Sequence, residues 1–87
     1  MLKAISPAQC RGARALLDIT QPELARRARL GLSTVVDFER GRRSVSSEVV
    51  GKMQQALEIS GVEFIDENGG GAGVRLRKPG KEMRGRS

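Results

Sequence analysis

The chain has 87 residues and a net charge of +6, from 16 Lys and Arg against 10 Asp and Glu, which fits one small domain with an anionic partner. With no His and a single cysteine, Cys10, it lacks the parts for a Cys/His zinc cage, a Ser–His or Cys–His nucleophile pair or an internal disulfide, so neither catalysis nor a metal or cofactor is expected. No apolar run approaches the roughly 18 residues of a membrane span, and the opening Met1–Pro7 lacks the apolar stretch of a signal peptide, so the expectation is a cytoplasmic domain with no membrane partner.

Ser6-Pro7-Ala8-Gln9 reads as a helix start, with Ser6 as N-cap, Pro7 at the first helical position and Gln9 as capping-box partner. The helix is expected to run to about Leu17, with Cys10 a small, semi-buried residue on it. Thr20-Gln21-Pro22-Glu23 is a second capping box, and Leu24, Ala25 and Ala28 then line one face at helical spacing. About three residues separate this helix from the next, whose apolar positions are Leu30, Val35 and Phe38. Gly31 is its candidate N-cap, and Gly41 stands where a helix ending near Arg40 needs a left-handed stop.

Ser44, Ser46 and Ser47 offer caps for a fourth helix. In it Val49, Val50, Met53, Ala56 and Leu57 make an apolar stripe, and Gly61 ends it. Beyond Gly61 the period shortens to about two, in Val62–Asp66 and again in Val74–Arg77, with a glycine-rich loop between them. That loop is not a nucleotide cradle, because no helix follows it and it has no Gly-Lys-Ser/Thr ending. From Lys78 on, Pro, Gly and charge predict a disordered tail.

Charge is segregated along these elements. Residues 1–47 carry +5, residues 48–67 carry −4 and residues 68–87 carry +5, so two basic regions flank an acidic one.

Two short helices with a three-residue connection, the first opening on a capped Thr-Gln, form a helix-turn-helix pattern. The run Thr20-Gln21-Pro22-Glu23-Leu24-Ala25-Arg26-Arg27-Ala28, followed by Val35 and Phe38-Glu39-Arg40-Gly41-Arg42-Arg43, closely resembles the phage-repressor (Cro/C1, XRE-type) DNA-binding family. The resemblance covers roughly residues 9–60. It implies a mainly α, four-helix lambda-repressor-like domain over residues 1–60, here followed by a C-terminal β-hairpin over 61–78 and a basic tail over 79–87.

The resemblance also assigns roles. The second helix of the pair, about Leu32–Arg40, would enter the major groove of double-stranded DNA. Its early outward residues are Leu32, Ser33, Thr34 and Asp37. Gln21 stands where the family binds a phosphate, and Arg14 and Glu39 hold the positions of a structural ion pair that orients the recognition helix. Physical chemistry points the same way at several of these positions. Helix N-termini at Gln21 and Leu32 can each hold a phosphate. Arg40, Arg42 and Arg43 cluster within reach of the backbone. Ser33 and Thr34 can donate or accept, Leu32 can touch a thymine methyl, and Asp37 can accept from a cytosine amino group or pair with a nearby Arg. Arg26, Arg27 and Arg29 can face either DNA or solvent.

The chain departs from the family in three places: Arg29 replaces a turn glycine, Gly31 a capping Ser or Thr, and Val45 a proline. If Arg29 keeps the left-handed backbone, it costs about 1 kcal/mol.

Small regulators of the family often carry a tail like Gly61–Gly71. A lone hairpin is marginal in water, and Val62, Phe64, Val74 and Leu76 give this one an apolar face. The expectation is therefore a two-fold homodimer through the hairpin, with Val62, Phe64, Ile65, Val74 and Leu76 at the interface. The alternative is a hairpin folded back on its own helices. The functional expectation is a sequence-specific transcriptional repressor on a palindromic operator. A second reading is an antitoxin-like or coactivator-like protein-binding module that uses the hairpin or the basic tail on a protein partner.

Overall fold

The computed structural model describes residues 4–42, 45–67 and 69–77. Over these, four helices precede a two-stranded hairpin: α1 Pro7–Leu17, α2 Gln21–Ala28, α3 Leu32–Glu39, α4 Ser47–Ser60, β1 Val62–Ile65 and β2 Gly73–Leu76. Arg43, Ser44, Lys78 and the tail 79–87 lie outside the described residues.

Helix starts follow the side chains that can accept from first-turn amides. Ser6 Oγ accepts from the Gln9 amide (3.1 Å) and Gln9 Oε1 accepts from the Ser6 amide (2.9 Å), so the first capping box is complete. At α2 half of the expected box forms. Thr20 Oγ1 accepts from the Glu23 amide (3.2 Å), but the Glu23 carboxylate turns outward to Arg26 and Arg27, where two guanidinium groups outbid one backbone amide. Gly31 has no side chain and caps α3 through its backbone alone. Ser46 caps α4 by accepting from the Val49 amide (3.2 Å).

The first three helices end in one way. Asp18 (φ 59°), Arg29 (φ 60°) and Gly41 (φ 64°) take the left-handed position. The next amide then reaches back to a carbonyl five residues earlier: Ile19 to Arg14 (3.1 Å), Leu30 to Ala25 (2.9 Å) and Arg42 to Asp37 (3.1 Å). These stops turn the chain sharply enough for α1, α2 and α3 to enclose a common interior with α4. Leu24, Val35, Met53 and Leu57 are fully buried there, together with Cys10 and Val62.

The hairpin joins that interior. Its register pairs Val62 with Leu76, Glu63 with Arg75, Phe64 with Val74 and Ile65 with Gly73. Gly12 lets α1 approach β2 closely, since a Cβ there would stand 3.2 Å from Val74 Cγ1. Gln9 Nε2 donates to the carbonyls of Gly73 (2.8 Å) and Ile65 (3.3 Å), tying the loop end of the hairpin to α1. At the other end the Arg77 amide donates to the Gly61 carbonyl (2.8 Å), and its guanidinium grips the Glu58 carbonyl.

This packing corrects the expected dimer surface. Val62 is 0% exposed and Phe64 is buried within a single chain, because α1 and α4 cover the apolar face of the hairpin. Neither residue is available to a partner. Ile65 and Val74 are half-buried, and Leu76, at 52% exposure, is the member of the set that faces outward.

Candidate nucleic-acid interface

The N-terminal turn of α3 is open to solvent. Leu32 is 45% exposed, Ser33 is exposed and Thr34 is half-buried, while Val35, Phe38 and Glu39 point into the protein. The first-turn amides at Leu32 and Ser33 have no intrahelical acceptor, and the helix dipole adds partial positive charge beside them. Asp37 is half-buried, one turn further along. Arg40 and Arg42 are exposed just past the end of the helix, at the left-handed Gly41. A strip of helix-borne polar and apolar groups thus runs into a basic corner.

What fixes α3 in this orientation is a buried carboxylate. Glu39 is 2% exposed, and four donors meet it. Arg14 Nε reaches Oε2 and Arg14 Nη2 reaches Oε1, both at 2.7 Å; Gln21 Nε2 donates to Oε1 (3.0 Å) and Cys10 Sγ to Oε2 (3.2 Å). Arg11 adds a bond from its guanidinium to the Glu39 backbone carbonyl. Burial alone would raise the Glu39 carboxyl. The hydrogen bonds from Arg14, Gln21 and Cys10 and the Arg14 charge outweigh burial and hold it below the usual carboxylate range. The Cys10 thiol moves the other way: burial first, then Glu39, push it up, so it stays protonated and serves as a donor.

Gln21 therefore has a double setting. Its side chain joins the Glu39 cluster, while its backbone opens α2. A side-chain amide carries two N–H donors and an acceptor oxygen. One side-chain donor is spent on Glu39, Pro22 has no N–H and the Glu23 amide is taken by Thr20, so the donors left at the start of α2 are the Gln21 backbone amide and its second side-chain N–H.

A helix-turn-helix family model, HTH_3, matches residues 11–64, well over half of the chain. The chain belongs to the Cro/C1-type helix-turn-helix (XRE) family. It is a DNA-binding helix-turn-helix regulator, in a family whose members regulate rather than catalyse. A search of curated proteins found no match. The match runs past α4 into β1, in keeping with a core that takes Val62 and Phe64 from the strand. Among the described residues, no helix of this family member is long and apolar enough to cross a membrane.

The structure gathers Leu32, Ser33, Thr34, Asp37, Arg40 and Arg42 on or just after α3 and brings Gln21 to its inner end. Arg43 lies outside the described residues. Sequence reasoning missed three contributors. Gln9 reads as a capping residue and also clamps the hairpin, a partner 64 positions away that no local spacing signals. Arg11 stands three residues before Arg14, which puts both on the face of α1 that meets the end of α3, so helical spacing alone could have named it. Cys10 is fully buried and donates to Glu39.

Proposed function

We propose that the protein is a sequence-specific transcriptional repressor of the cytoplasm that inserts α3 into the major groove and binds a palindromic operator as a homodimer. The observation that carries the reading is the clamp on Glu39. A buried charge network holds the back of α3, leaving Leu32, Ser33 and Thr34 outward and Arg40 and Arg42 beside them. Arg40, Arg42, Arg43 and the N-termini of α2 and α3 contact phosphates and set register; Leu32, Ser33, Thr34 and Asp37 read base edges. None of these side chains is an Arg, Asn or Gln positioned for a bidentate base contact, so one copy discriminates modestly. Two copies on half-sites about 34 Å apart multiply that discrimination. The partner contact uses Leu76 and Ile65 on the hairpin, whose paired strands each leave one outer edge free of another strand among the described residues. Occupancy of the operator by this dimer represses by blocking promoter access.

Replacing Leu32, Ser33 and Thr34 together by Ala tests the reading. Binding to a selected operator should fall to the level of random duplex, with random-duplex affinity and the circular dichroism spectrum unchanged. Equal losses on both duplexes would contradict base reading by this turn. Sedimentation equilibrium at micromolar concentration tests the dimer: a mass twice 9.4 kDa supports it and a clean 9.4 kDa species overturns it.

A further inference from the structure

At the far end of α2 from Gln21, the C-terminal turn of that helix and the adjoining flank of α4 enclose an open groove of about 240 Å³. Its lining holds three bases, Arg27, Arg29 and Lys52, and no acid; Ala28, Ala56 and Ile59 are its apolar part. Lys52, Ala56 and Ile59 recur at helical spacing along one flank of α4, where Ala56 borders the core stripe of Met53 and Leu57 and Ile59 turns out to solvent.

Two features set this groove apart from an ordinary solvated surface. Arg27 is held in place: its Nε donates to Glu23 (2.8 Å) and its Nη1 to Ser60 Oγ (2.8 Å), while Ser60 Oγ donates to the Ala56 carbonyl (2.8 Å). A guanidinium has five N–H donors, so a pre-oriented fork still has donors to offer. Arg29 occupies a left-handed backbone position, φ 60°, that glycine adopts without strain and an arginine does not. The chain thus carries a base at a position whose backbone favours glycine, and that residue lines the groove.

We propose that this groove docks an acidic, leucine-bearing segment of a partner protein. Carboxylates meet Arg27, Arg29 and Lys52, and an apolar side chain packs on Ala28, Ala56 and Ile59. Charge complementarity selects an acidic occupant. The apolar wall, with Ile59 at 77% exposure, selects a polypeptide over a DNA phosphate backbone, which has no side chain to bury there. Position agrees, since α2 separates the groove from the Gln21 end by about 10 Å at 1.5 Å per residue.

The test uses the full chain and a fluorescein-labelled synthetic peptide alternating Asp and Leu, followed by anisotropy at near-physiological salt. Saturable binding is expected. Arg29→Gly combined with Lys52→Ala should weaken it at least about tenfold, and Ile59→Ser should weaken it without changing charge. A peptide of Asp and Ser should bind poorly. The Arg29→Gly change should raise the thermal midpoint, which separates lost binding from lost folding. DNA affinity should be unchanged by these groove variants, and Arg42→Ala should leave peptide binding unchanged. Peptide binding that follows Arg42 and ignores the groove would overturn the proposal, as would no saturation. So would groove variants that lower DNA affinity and spare the peptide, since the groove would then be a phosphate contact.

Discussion

Arg14 grips both oxygens of Glu39 at 2.7 Å, from the last turn of α1 to the last residue of α3. The pair joins the helix that packs on the hairpin to the helix that carries the exposed turn Leu32–Thr34. Because Glu39 is buried, removing one partner leaves an uncompensated charge in the interior. Arg14→Ala should therefore cost about 3 kcal/mol of stability, read as a lower urea midpoint. DNA affinity of the remaining folded protein should fall as well, because α3 loses the group that sets its angle.

Acid should act through the same carboxylate. Its folded pKa is depressed below the ordinary value of about 4.3. The stabilisation is thus fully present above the unfolded value and is lost as pH falls through the folded one. Urea midpoints should hold steady down to about pH 5 and decline below it. Glu39→Gln should start lower and lose part of that decline. Glu23 is also held low, by Arg27 and then Arg26, but it is open to solvent where Glu39 is buried, so its share should disappear in high salt while that of Glu39 persists.

Gln9 tests the link between α1 and the hairpin. Its side-chain amide is the donor to both Ile65 and Gly73. Gln9→Ala should cost about 1–2 kcal/mol, through lost bonds and half of the α1 capping box. Amide exchange in β2 should rise more than exchange in α2 or α3, measured by native-state hydrogen exchange.

Arg40 and Arg42 should behave as phosphate contacts. Each changed to Ala should weaken binding about equally across sequences and reduce the slope of log K against log salt by about 1. Loss confined to one operator sequence would assign them to base reading instead.

The helical part of the fold was legible because three of the four helices announce themselves twice, by period and by a side-chain cap. Val49, Val50, Met53, Ala56 and Leu57 outline the inner face of α4, and Ser6, Thr20 and Ser46 each accept from the first turn behind them. The turn was legible only through the family pattern, since a local rule would have asked for glycine where Arg29 stands. The fate of the hairpin was not legible. An apolar face on Val62 and Phe64 states that something covers it, and nothing in a period-two pattern tells a second copy from α1 and α4. Gly12 was the missed sign: a glycine inside a helix, kept where β2 comes within 3.2 Å of its Cβ position. The Glu39 cluster was half legible. Arg14 and Glu39 came with the family resemblance, whereas Gln21 and Cys10 joined because burial leaves a carboxylate's remaining lone pairs in need of donors.

The central claim is that α3 reads DNA sequence. Selection of bound duplexes from a random library by the full chain, at near-physiological salt, tests it most directly. The expected result is an enriched inverted repeat with half-sites centred about 34 Å apart, and loss of that enrichment when Leu32, Ser33 and Thr34 are changed together to Ala. Recovery of no enriched motif, or of the same motif by the triple variant, would contradict it.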